Sequence, residues 1–271
     1  MKKTNSILST AALTLISLLV IMPFYIMFVM GTHYSEDLFK GIVIIPGRNA
    51  LENLMTVLKN NFFKFYWNSI YVAVITTCVS VFISSMTGYA LAKHEFKFRK
   101  TAFYFIVMTM MIPHQLGLVA FVIQMRYMGL TNTHIPLFLQ LATNAFGVFW
   151  MTQYIKSTVP TDVIESARID GCNEFRVFLQ VILPYIKPAI STLSMLVFLW
   201  SWNNFLLPLI ILNKVNLLTI PLGIMKIGQL YRVDYGARLL ALSIATIPIV
   251  IIFVAGSKTF VRGLTAGAVK G

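Results

Sequence analysis

The sequence has 271 residues, of which 58% are hydrophobic and 11% are charged, and its mean hydropathy is +0.78. A soluble domain carries about 25% charged residues, so this composition excludes an ordinary soluble enzyme, a disordered chain and a disulfide scaffold. The net charge of +13 would suggest nucleic-acid binding in a soluble protein, but here the positions of the charges must be considered first.

Six apolar segments are long enough to cross a bilayer, which takes about 20 residues of helix. None of them contains Asp, Glu, Lys or Arg. The predicted spans are residues 7–30, 65–92, 101–123, 134–155, 188–212 and 239–257. We therefore expect an all-α polytopic membrane protein that forms one membrane domain over residues 1–271 and binds no nucleic acid.

The first span follows Lys2 and Lys3, and its apolar run of 24 residues exceeds the about 7–15 residues of a signal peptide. It is interpreted as a retained helix with a cytoplasmic amino terminus. Six spans then place 13 of the 22 basic residues on the cytoplasmic side, which agrees with the positive-inside tendency. The densest basic cluster is the hairpin of residues 93–100 between the second and third spans. Both chain termini are expected in the cytoplasm.

The second span carries small residues at four-residue spacing, which is typical of a helix face that packs closely against another helix. These residues are Ser80, Ser84, Gly88 and Ala92. The neighbouring helix could belong to this chain or to a partner.

The sequence lacks the residues that several kinds of chemistry require. Histidine is the only ionisable acid or base within the spans, and His114 and His134 lie near span ends, which disfavours an ion-coupled secondary transporter. No glycine is followed by lysine, so a Walker A loop is absent and no catalytic residue is predicted. The scattered histidines and two distant cysteines also predict no metal site. Energy for any transport must then come from another subunit.

The segment of residues 156–187 is too polar to cross a bilayer but carries helix signals. Asp162 is predicted to cap a short helix, with Glu165 as its capping-box partner, and Gly171 is predicted to end it. Small and charged residues on that helix suit docking into a groove of a partner protein.

A second helix is predicted from about residue 173 to residue 182, and Pro184 and Pro188 are expected to end it before the fifth span. The segment should therefore form a helix-turn-helix under the membrane. Four of the nine acidic residues lie in this one loop.

The same residues resemble a known signature. Glu165-Ser-Ala-x-x-x-Gly171, followed after nine residues by Val181-x-Leu183-Pro184, resembles the EAA motif of permease subunits of ABC importers. The sequence departs from that pattern at Ser166, where the family has Ala, and at Val181, where it has Ile. Further matching motifs extend over nearly the whole chain, from Asn68-Ser69 to the tail at residues 263–271, and they resemble the carbohydrate-uptake branch of the family. In architecture the chain is similar to the smaller permease subunit of maltose importers.

This resemblance implies a coupling loop at 156–187 that docks on an ATPase subunit. The residues implied in coupling are Asp162, Glu165, Ser166, Ala167, Arg168, Asp170, Gly171, Leu183 and Pro184. The tail residues Gly267, Val269 and Lys270 are implied to reach the ATPase subunits. The implied partners are a second permease, two ATPase subunits that bind ATP and Mg, and an extracytoplasmic sugar-binding protein, in the inner membrane of a bacterium. No cofactor is expected on this chain.

Uncharged polar and aromatic residues in two spans suit a neutral, hydroxyl-rich solute. The candidate path residues are Gln140, Asn144, Trp200, Trp202, Asn203 and Asn204. Gln140 and Asn144 are expected on one face of a single helix, being four residues apart. Hydrogen bonds between helices would use the same residue types. An ABC permease for a polyol or a glycerol-phosphate compound remains the alternative function.

Overall fold

The computed structural model describes the backbone of residues 2–41, 43–228 and 233–266, and the side chains of residues 8–41, 43–228 and 233–257. All regular structure within these ranges is helical, which confirms the all-α prediction. The α-helices of this described part are α1 Lys2–Met30, α2 Ala50–Lys59, α3 Phe62–Lys93, α4 Arg99–Thr109, α5 Leu118–Tyr127, α6 Ile135–Ala142, α7 Ala145–Thr158, α8 Thr161–Ile169, α9 Glu174–Val177, α10 Leu183–Tyr185, α11 Lys187–Trp202, α12 Leu206–Ile211, α13 Ile220–Ile224 and α14 Tyr235–Ala266.

Three continuous helices are long and apolar enough to cross a membrane, and three bent pairs could each supply one more crossing. The continuous spans are Leu8–Met30, Phe62–Lys93 and Tyr235–Ser257. The bent pairs are α4 with His114–Tyr127, α6 with α7, and Glu174–Tyr185 with α11. Six crossings, as the sequence predicts, therefore require that each bent pair crosses once.

Three predicted spans are interrupted rather than continuous, and two of them break at a bend. The prediction of one helix over 101–123 is wrong, because α4 ends at Thr109 and the following segment bends by 90°. Pro113 stands at this break with an extended backbone (ψ 128°), and its missing N–H and ring disfavour a continuous helix. The span 134–155 likewise breaks at Thr143 and Asn144, where α6 and α7 meet at 43°.

The predicted span 188–212 also differs from the structure, because α11 stops at Trp202 and α12 begins only at Leu206. Asn203 follows the last helical residue, and its amide donates to the carbonyl of Leu199 at 2.9 Å. The backbone N–H of Asn203 donates to the same carbonyl at 3.1 Å, so both groups of Asn203 close the last turn of α11.

The predicted second helix of the 156–187 loop is more irregular than expected. Only Glu174–Val177 is α-helical before a π-helical turn over Phe178–Ile182, and α10 then carries Pro184 in its first turn. Pro184 therefore does not end the helix. The direction changes at Ile186 instead, where the arm Glu174–Tyr185 meets α11 at 84°. The arm before the bend carries the charged residues Glu174 and Arg176, whereas α11 after it is predominantly apolar.

The chain divides into two compact units, the first comprising Met1–Tyr66 with Leu222–Pro248 and the second Trp67–Pro221 with Ile249–Gly271. In the first unit, a Cβ on Gly31 would lie 2.8 Å from the Cα of Leu240, so α1 and α14 meet through a glycine. Asn53, which is 1% exposed, donates to the carbonyls of Gly31 at 2.8 Å and His33 at 2.9 Å. The single domain over residues 1–271 stays a prediction.

In the second unit, the small face of α3 packs against α7 of the same chain. A Cβ on Gly88 would lie 2.6 Å from the Cβ of Met151 and 3.0 Å from the backbone N of Thr152. Gly147 of α7 similarly lies against Ser84. Small residues at these positions permit the close approach of two helix backbones. This packing brings the carboxyl-terminal end of α3 beside the segment that follows α7.

Candidate functional site

The helix α8 forms one candidate site, at the surface of the second unit. It begins directly after Pro160, which makes no side-chain cap, so the predicted capping by Asp162 and Glu165 is wrong. Asp162 lies in the first turn instead, where its negative charge interacts favourably with the positive end of the helix dipole. The extended backbone at Pro160 (φ −64°, ψ 143°) sets the start of the helix without a side-chain cap.

The two faces of α8 differ sharply. Ile164 is 1% exposed and Ala167 is 8% exposed, and both belong to the hydrophobic core of the second unit. Ala167 therefore faces this chain's own core. Five of the residues that the sequence resemblance implies in coupling lie on the exposed side, namely Asp162, Glu165, Ser166, Arg168 and Asp170. Ile169 is 86% exposed beside them, which gives this charged face one apolar side chain.

Gly171 ends α8 as the sequence predicts. Its φ of +81° is left-handed, which a glycine adopts without a steric penalty. The N–H of Cys172 donates to the carbonyl of Ala167 at 3.0 Å, and the N–H of Gly171 donates to that of Arg168 at 3.0 Å. These two bonds form a Schellman motif, which satisfies the last carbonyls of the helix and fixes the turn into α9.

Glu174, at the start of α9, binds three side chains. Its carboxylate accepts hydrogen bonds from the Tyr89 hydroxyl at 2.8 Å and from Nε of Arg168 at 2.8 Å. The Nε2 atom of His94 lies 3.2 Å from the same carboxylate. The hydrogen bond from Arg168 holds the pKa of the Glu174 carboxyl below its usual value, and the same bond raises the pKa of Arg168. Sequence reasoning missed this cluster, because its partners are up to 85 residues apart.

The start of α8 is also held by a residue of α3, the helix that contributes Tyr89 to the Glu174 cluster. The Nζ atom of Lys93, at the end of α3, donates to the carbonyl of Val159 at 2.6 Å. Val159 is 3% exposed and stands immediately before Pro160. Leu183 packs partly buried against the core, whereas Pro184 is exposed, so these two motif residues do not share one surface. The tail residues Gly267, Val269 and Lys270 lie outside the described residues.

A second candidate site is a cavity of about 630 Å³ among the broken helices of the second unit. Its lining residues are Met110, His114, Gln115, Gln140, Leu141, Asn144, Ala145, Phe146, Trp200, Asn203, Asn204, Phe205 and Leu206. Of the lining residues, only His114 has an ionisable side chain. A volume in the range of about 300–1,000 Å³ is typical of small-molecule sites.

The helix breaks position the polar groups of this cavity. Asn144 caps α7, and its Oδ1 accepts from the N–H of Phe146 at 3.1 Å. Gln140 and Asn144 thus line one cavity. The prediction that they share one face of a single helix is wrong, because Gln140 lies on α6 and Asn144 caps α7. The amide of Asn204 donates to Oε1 of Gln140 at 2.9 Å, which joins the segment after α11 to α6.

One amide donor here is unsatisfied. Asn144 is 8% exposed, and its Nδ2 atom has no hydrogen-bond partner within the described part of the chain. A buried polar donor left unpaired costs about 1–3 kcal/mol, so an acceptor that reached this Nδ2 atom would offset that cost.

The two tryptophans of the predicted solute path lie in different surroundings. Trp200 lines the cavity, and its ring meets Phe146 edge-on with centroids 5.7 Å apart. Trp202 is 3% exposed and stacks on Phe198, away from the cavity lining. His114, Gln115 and Phe146 are lining residues that sequence reasoning did not select. The proline break at residue 113 was the one available signal for the first two of these.

These features define a class of protein. A chain of apolar helices with a polar cavity among interrupted helices, and with a charged helix exposed at the surface of the same unit, has the architecture of a membrane transport subunit. The chain belongs to the family described as binding-protein-dependent transport system inner membrane component, which matches residues 80–265.

Relatives of known name extend this match to the whole chain. The chain is 31% identical over 278 residues to the arabinooligosaccharides transport system permease protein AraQ of Halalkalibacterium halodurans, covering 100% of this chain and 99% of AraQ. It is 31% identical over 264 residues to the trehalose/maltose transport system permease protein MalG of Thermococcus litoralis, covering 95% and 94%.

A solved structure shares the fold. It is a chain of a bacterial ABC transporter involved in the import of the acidic polysaccharide alginate, and it matches with a TM-score of 0.81 at 21% identity, over 95% of this chain and 97% of the other.

Proposed function

We propose that this chain is a permease subunit of an ATP-driven, binding-protein-dependent importer of a neutral sugar or oligosaccharide. The neutral, amide-lined cavity is the observation that carries the choice of solute. Gln140, Asn144, Asn203 and Asn204 offer amide donors and acceptors to hydroxyl groups, and Trp200 offers an aromatic face. Relatives named for arabinooligosaccharide and trehalose/maltose transport support the same substrate class.

In this proposal the 156–187 segment and both termini lie in the cytoplasm of a bacterium, and the chain spans its inner membrane. The exposed face of α8 docks on an ATPase subunit, and Glu165 and Ser166 are its central contacts. The chain pairs with a second permease, two ATPase subunits bind ATP and Mg, and an extracytoplasmic binding protein delivers the sugar. The chain itself performs no chemistry and holds no cofactor.

Transport would follow alternating access. Closure of the ATPase subunits on ATP displaces α8, and the connected helices reorient so that the cavity changes the side to which it opens. Broken helices suit this motion, since the backbone interruptions at Asn144 and Asn203 line the cavity. At the first of them, the Asn144 side chain satisfies the freed N–H of Phe146.

Uptake into proteoliposomes tests the proposal. The chain is reconstituted with its partner permease, its ATPase subunits and its binding protein, and labelled oligosaccharide is followed inside the vesicles. Uptake that needs ATP and every partner supports the proposal. Uptake by this chain alone under an ion gradient contradicts it.

Substitution of Asn144 tests the cavity. Asn144→Ser keeps an N-cap oxygen but removes the unpaired amide donor, so the KM for uptake should rise about 3- to 10-fold, the effect of one lost hydrogen bond. The matched control is Asn173→Ser, which makes the same exchange at the N-cap of α9, where Asn173 accepts from the N–H of Arg176 at 2.9 Å. The control should leave KM unchanged. Equal KM values for all three proteins contradict a role of this cavity in sugar binding.

A glycerol-phosphate compound fits the cavity less well. An anionic solute needs a fixed positive charge or several converging N–H groups, and His114 is the one lining side chain that could carry a positive charge. Competition of labelled sugar uptake by glycerol phosphate measures this distinction directly, and effective competition would favour the anionic solute.

A further inference from the structure

The end of α3 holds α8 at both of its ends. At the start of α8, Lys93 donates to the carbonyl of Val159 at 2.6 Å. At its end, Arg168 shares the Glu174 carboxylate with Tyr89, which is in the last turns of α3. A helix attached at one end can pivot, whereas a helix attached at two ends moves with its support.

The cluster around Glu174 is packed as well as hydrogen-bonded. Tyr89 is 5% exposed, and its ring meets His94 edge-on with centroids 4.9 Å apart. On its other side the same ring lies 6.1 Å from Phe178, which is 2% exposed and begins the π-helical turn. The Glu174 carboxylate thus connects α3, the 93–100 hairpin, α8 and α9 through one side chain.

The chain connectivity alone gives a different expectation. From α8 the backbone leads through α9 and α10 to α11, so a displacement of α8 would first reach α11. That route contains the π-helical turn Phe178–Ile182 and the 84° bend at Ile186, both of which interrupt a straight helical connection. The contacts of Lys93 and Glu174 form a shorter route, which passes directly into the 32-residue helix α3.

We propose that Glu174 is a positioning residue that ties α8 to the end of α3, so that the two elements move as one body and α3 receives the displacement of α8. This inference rests on the proposed function, because it presumes that an ATPase subunit displaces α8. Glu174 contacts neither ATP nor sugar. It affects the coupling between ATP hydrolysis on the ATPase subunits and sugar transport through this chain, and it acts through Arg168 and Tyr89.

The coupling ratio is the first test. In the reconstituted importer, ATP hydrolysis and sugar uptake are measured on the same vesicles for the parent and for Glu174→Gln, which keeps the size of the side chain but removes its charge. Sugar transported per ATP hydrolysed should fall at least about 5-fold, the lower end of typical coupling between sites, while the ATPase subunits still co-purify. Tyr89→Phe removes only the hydroxyl and should change the ratio in the same direction.

The matched control is Glu95→Gln, which removes one acid from the neighbouring hairpin without touching the cluster, since Glu95 is exposed and is not among the groups that contact Glu174. The control should keep the parent ratio. An unchanged ratio in Glu174→Gln overturns the inference. A parent complex that neither binds ATPase subunits nor takes up sugar contradicts the proposed function instead, so the two failures are distinguishable.

A distance measurement gives a readout that a purely structural role would not move. Spin labels are placed at Ile169→Cys on α8 and at Glu95→Cys on the hairpin, after Cys78 and Cys172 are changed to Ser. The label-to-label distance should be the same in the nucleotide-free and ATP-bound parent complex, and should differ between these states in Glu174→Gln. A parent distance that changes between the two states overturns the inference.

Discussion

The cavity and the 156–187 segment lie in the same compact unit, yet they satisfy their polar groups in opposite ways. In the cavity, neutral amides pair with each other or with the backbone, as Asn204 does with Gln140 and Asn203 with Leu199. In the segment, the charged Glu174 carboxylate joins Arg168 and Tyr89. A charge within hydrocarbon costs about 2.5 kcal/mol or more, whereas water screens the partly exposed segment. Neutral polarity suits a solute path, and charge suits the docking and fastening of elements.

Both regions also use irregular backbone, but for different ends. In the cavity, the breaks after α6 and α11 turn amide side chains toward a shared space. In the segment, the left-handed Gly171 and the 84° bend at Ile186 redirect whole helices. In the proposed function, the first irregularity serves binding and the second serves the placement of a docking surface. The following variants test whether the two roles are separable.

Glu165→Lys should have the largest effect. Glu165 is exposed on α8, so reversal of its charge should leave the fold of this chain intact and disrupt docking of the ATPase subunit. Loss of a charged contact at an interface costs roughly 2 kcal/mol or more, which is at least about 30-fold in affinity. Co-purification of the ATPase subunit and sugar uptake should both fall by that factor. Normal values of both would contradict the separation of docking from binding, and Glu95→Lys is the matched charge reversal outside α8.

Gly171→Val should have the next largest effect. A β-branched residue at φ +81° strains the backbone by roughly 1–2 kcal/mol, and the turn that orients α8 would relax. The ratio of sugar uptake to ATP hydrolysis should fall about 10-fold, which corresponds to ~1.4 kcal/mol.

The chain offers a matched control for this strain. Gly129 has φ +69° and follows α5 in the same type of turn, in which the N–H of Leu130 donates to the carbonyl of Met125 at 2.9 Å. Gly129→Val should lower the unfolding temperature similarly but keep the ratio of uptake to ATP hydrolysis. A ratio that falls equally in both variants would show that strain, and not the position of α8, is responsible.

Asn204→Asp should have a smaller effect, confined to the cavity. The amide of Gln140 can rotate to donate to the new carboxylate, so the contact persists while the cavity gains a charge. Uptake of a neutral sugar at pH 7 should fall about 5-fold, or ~1 kcal/mol, because the carboxylate retains water that the sugar must displace. Uptake should recover at lower pH as the carboxylate is protonated. Asn213→Asp, outside the cavity lining, should show neither change.

The sequence predicted those parts of the fold that local patterns encode. Apolar runs located the three continuous spans and the three bent pairs, and the type of residue was enough to select Gln140, Asn204 and Trp200 as a possible solute path. Gly171 was predicted as a helix end because few other residues adopt its left-handed conformation.

The breaks were not predictable in the same way, because an asparagine within an apolar run is compatible with a continuous helix until its side chain takes a backbone group, as Asn144 does. Trp202 does not line the cavity, for a simpler reason. Two residues along a helix correspond to a turn of about 200°, so Trp200 and Trp202 point to opposite faces.

The cluster at Glu174 could not be predicted from the sequence because its partners come from distant parts of the chain. Glu174 and Tyr89 are 85 residues apart, and no local motif links them. Only the close packing of α3 on α7, through Gly88 and Gly147, brings the end of α3 beside α8. The small-residue pattern predicted a packing face but left open which helix it meets.

A pH measurement on Glu174 gives the smallest expected effect and separates its charge from its shape. The hydrogen bond from Arg168 lowers the pKa of the Glu174 carboxyl from its ordinary value of 4.5. A lowered pKa in the folded state means that this carboxylate stabilises the fold at pH values above 4.5 and loses that contribution as the pH falls through the lowered value. The parent should therefore unfold at a higher temperature than Glu174→Gln at pH 5, and the difference should shrink as the pH is lowered below 4.5.

The size of that difference is limited by water. The Glu174 side chain is 49% exposed, so its ion pair should contribute only ~0.5 kcal/mol, which thermal unfolding of the purified chain in detergent can resolve when parent and variant are compared at each pH. Glu95→Gln should show no such pH-dependent difference. A difference that stays constant as the pH falls would mean that the glutamine acts by disturbing the packing around Tyr89 and not by removing the charge. If the difference shrinks as the pH falls while the coupling ratio of Glu174→Gln stays low at neutral pH, a contact of small stability controls a large part of the transmission.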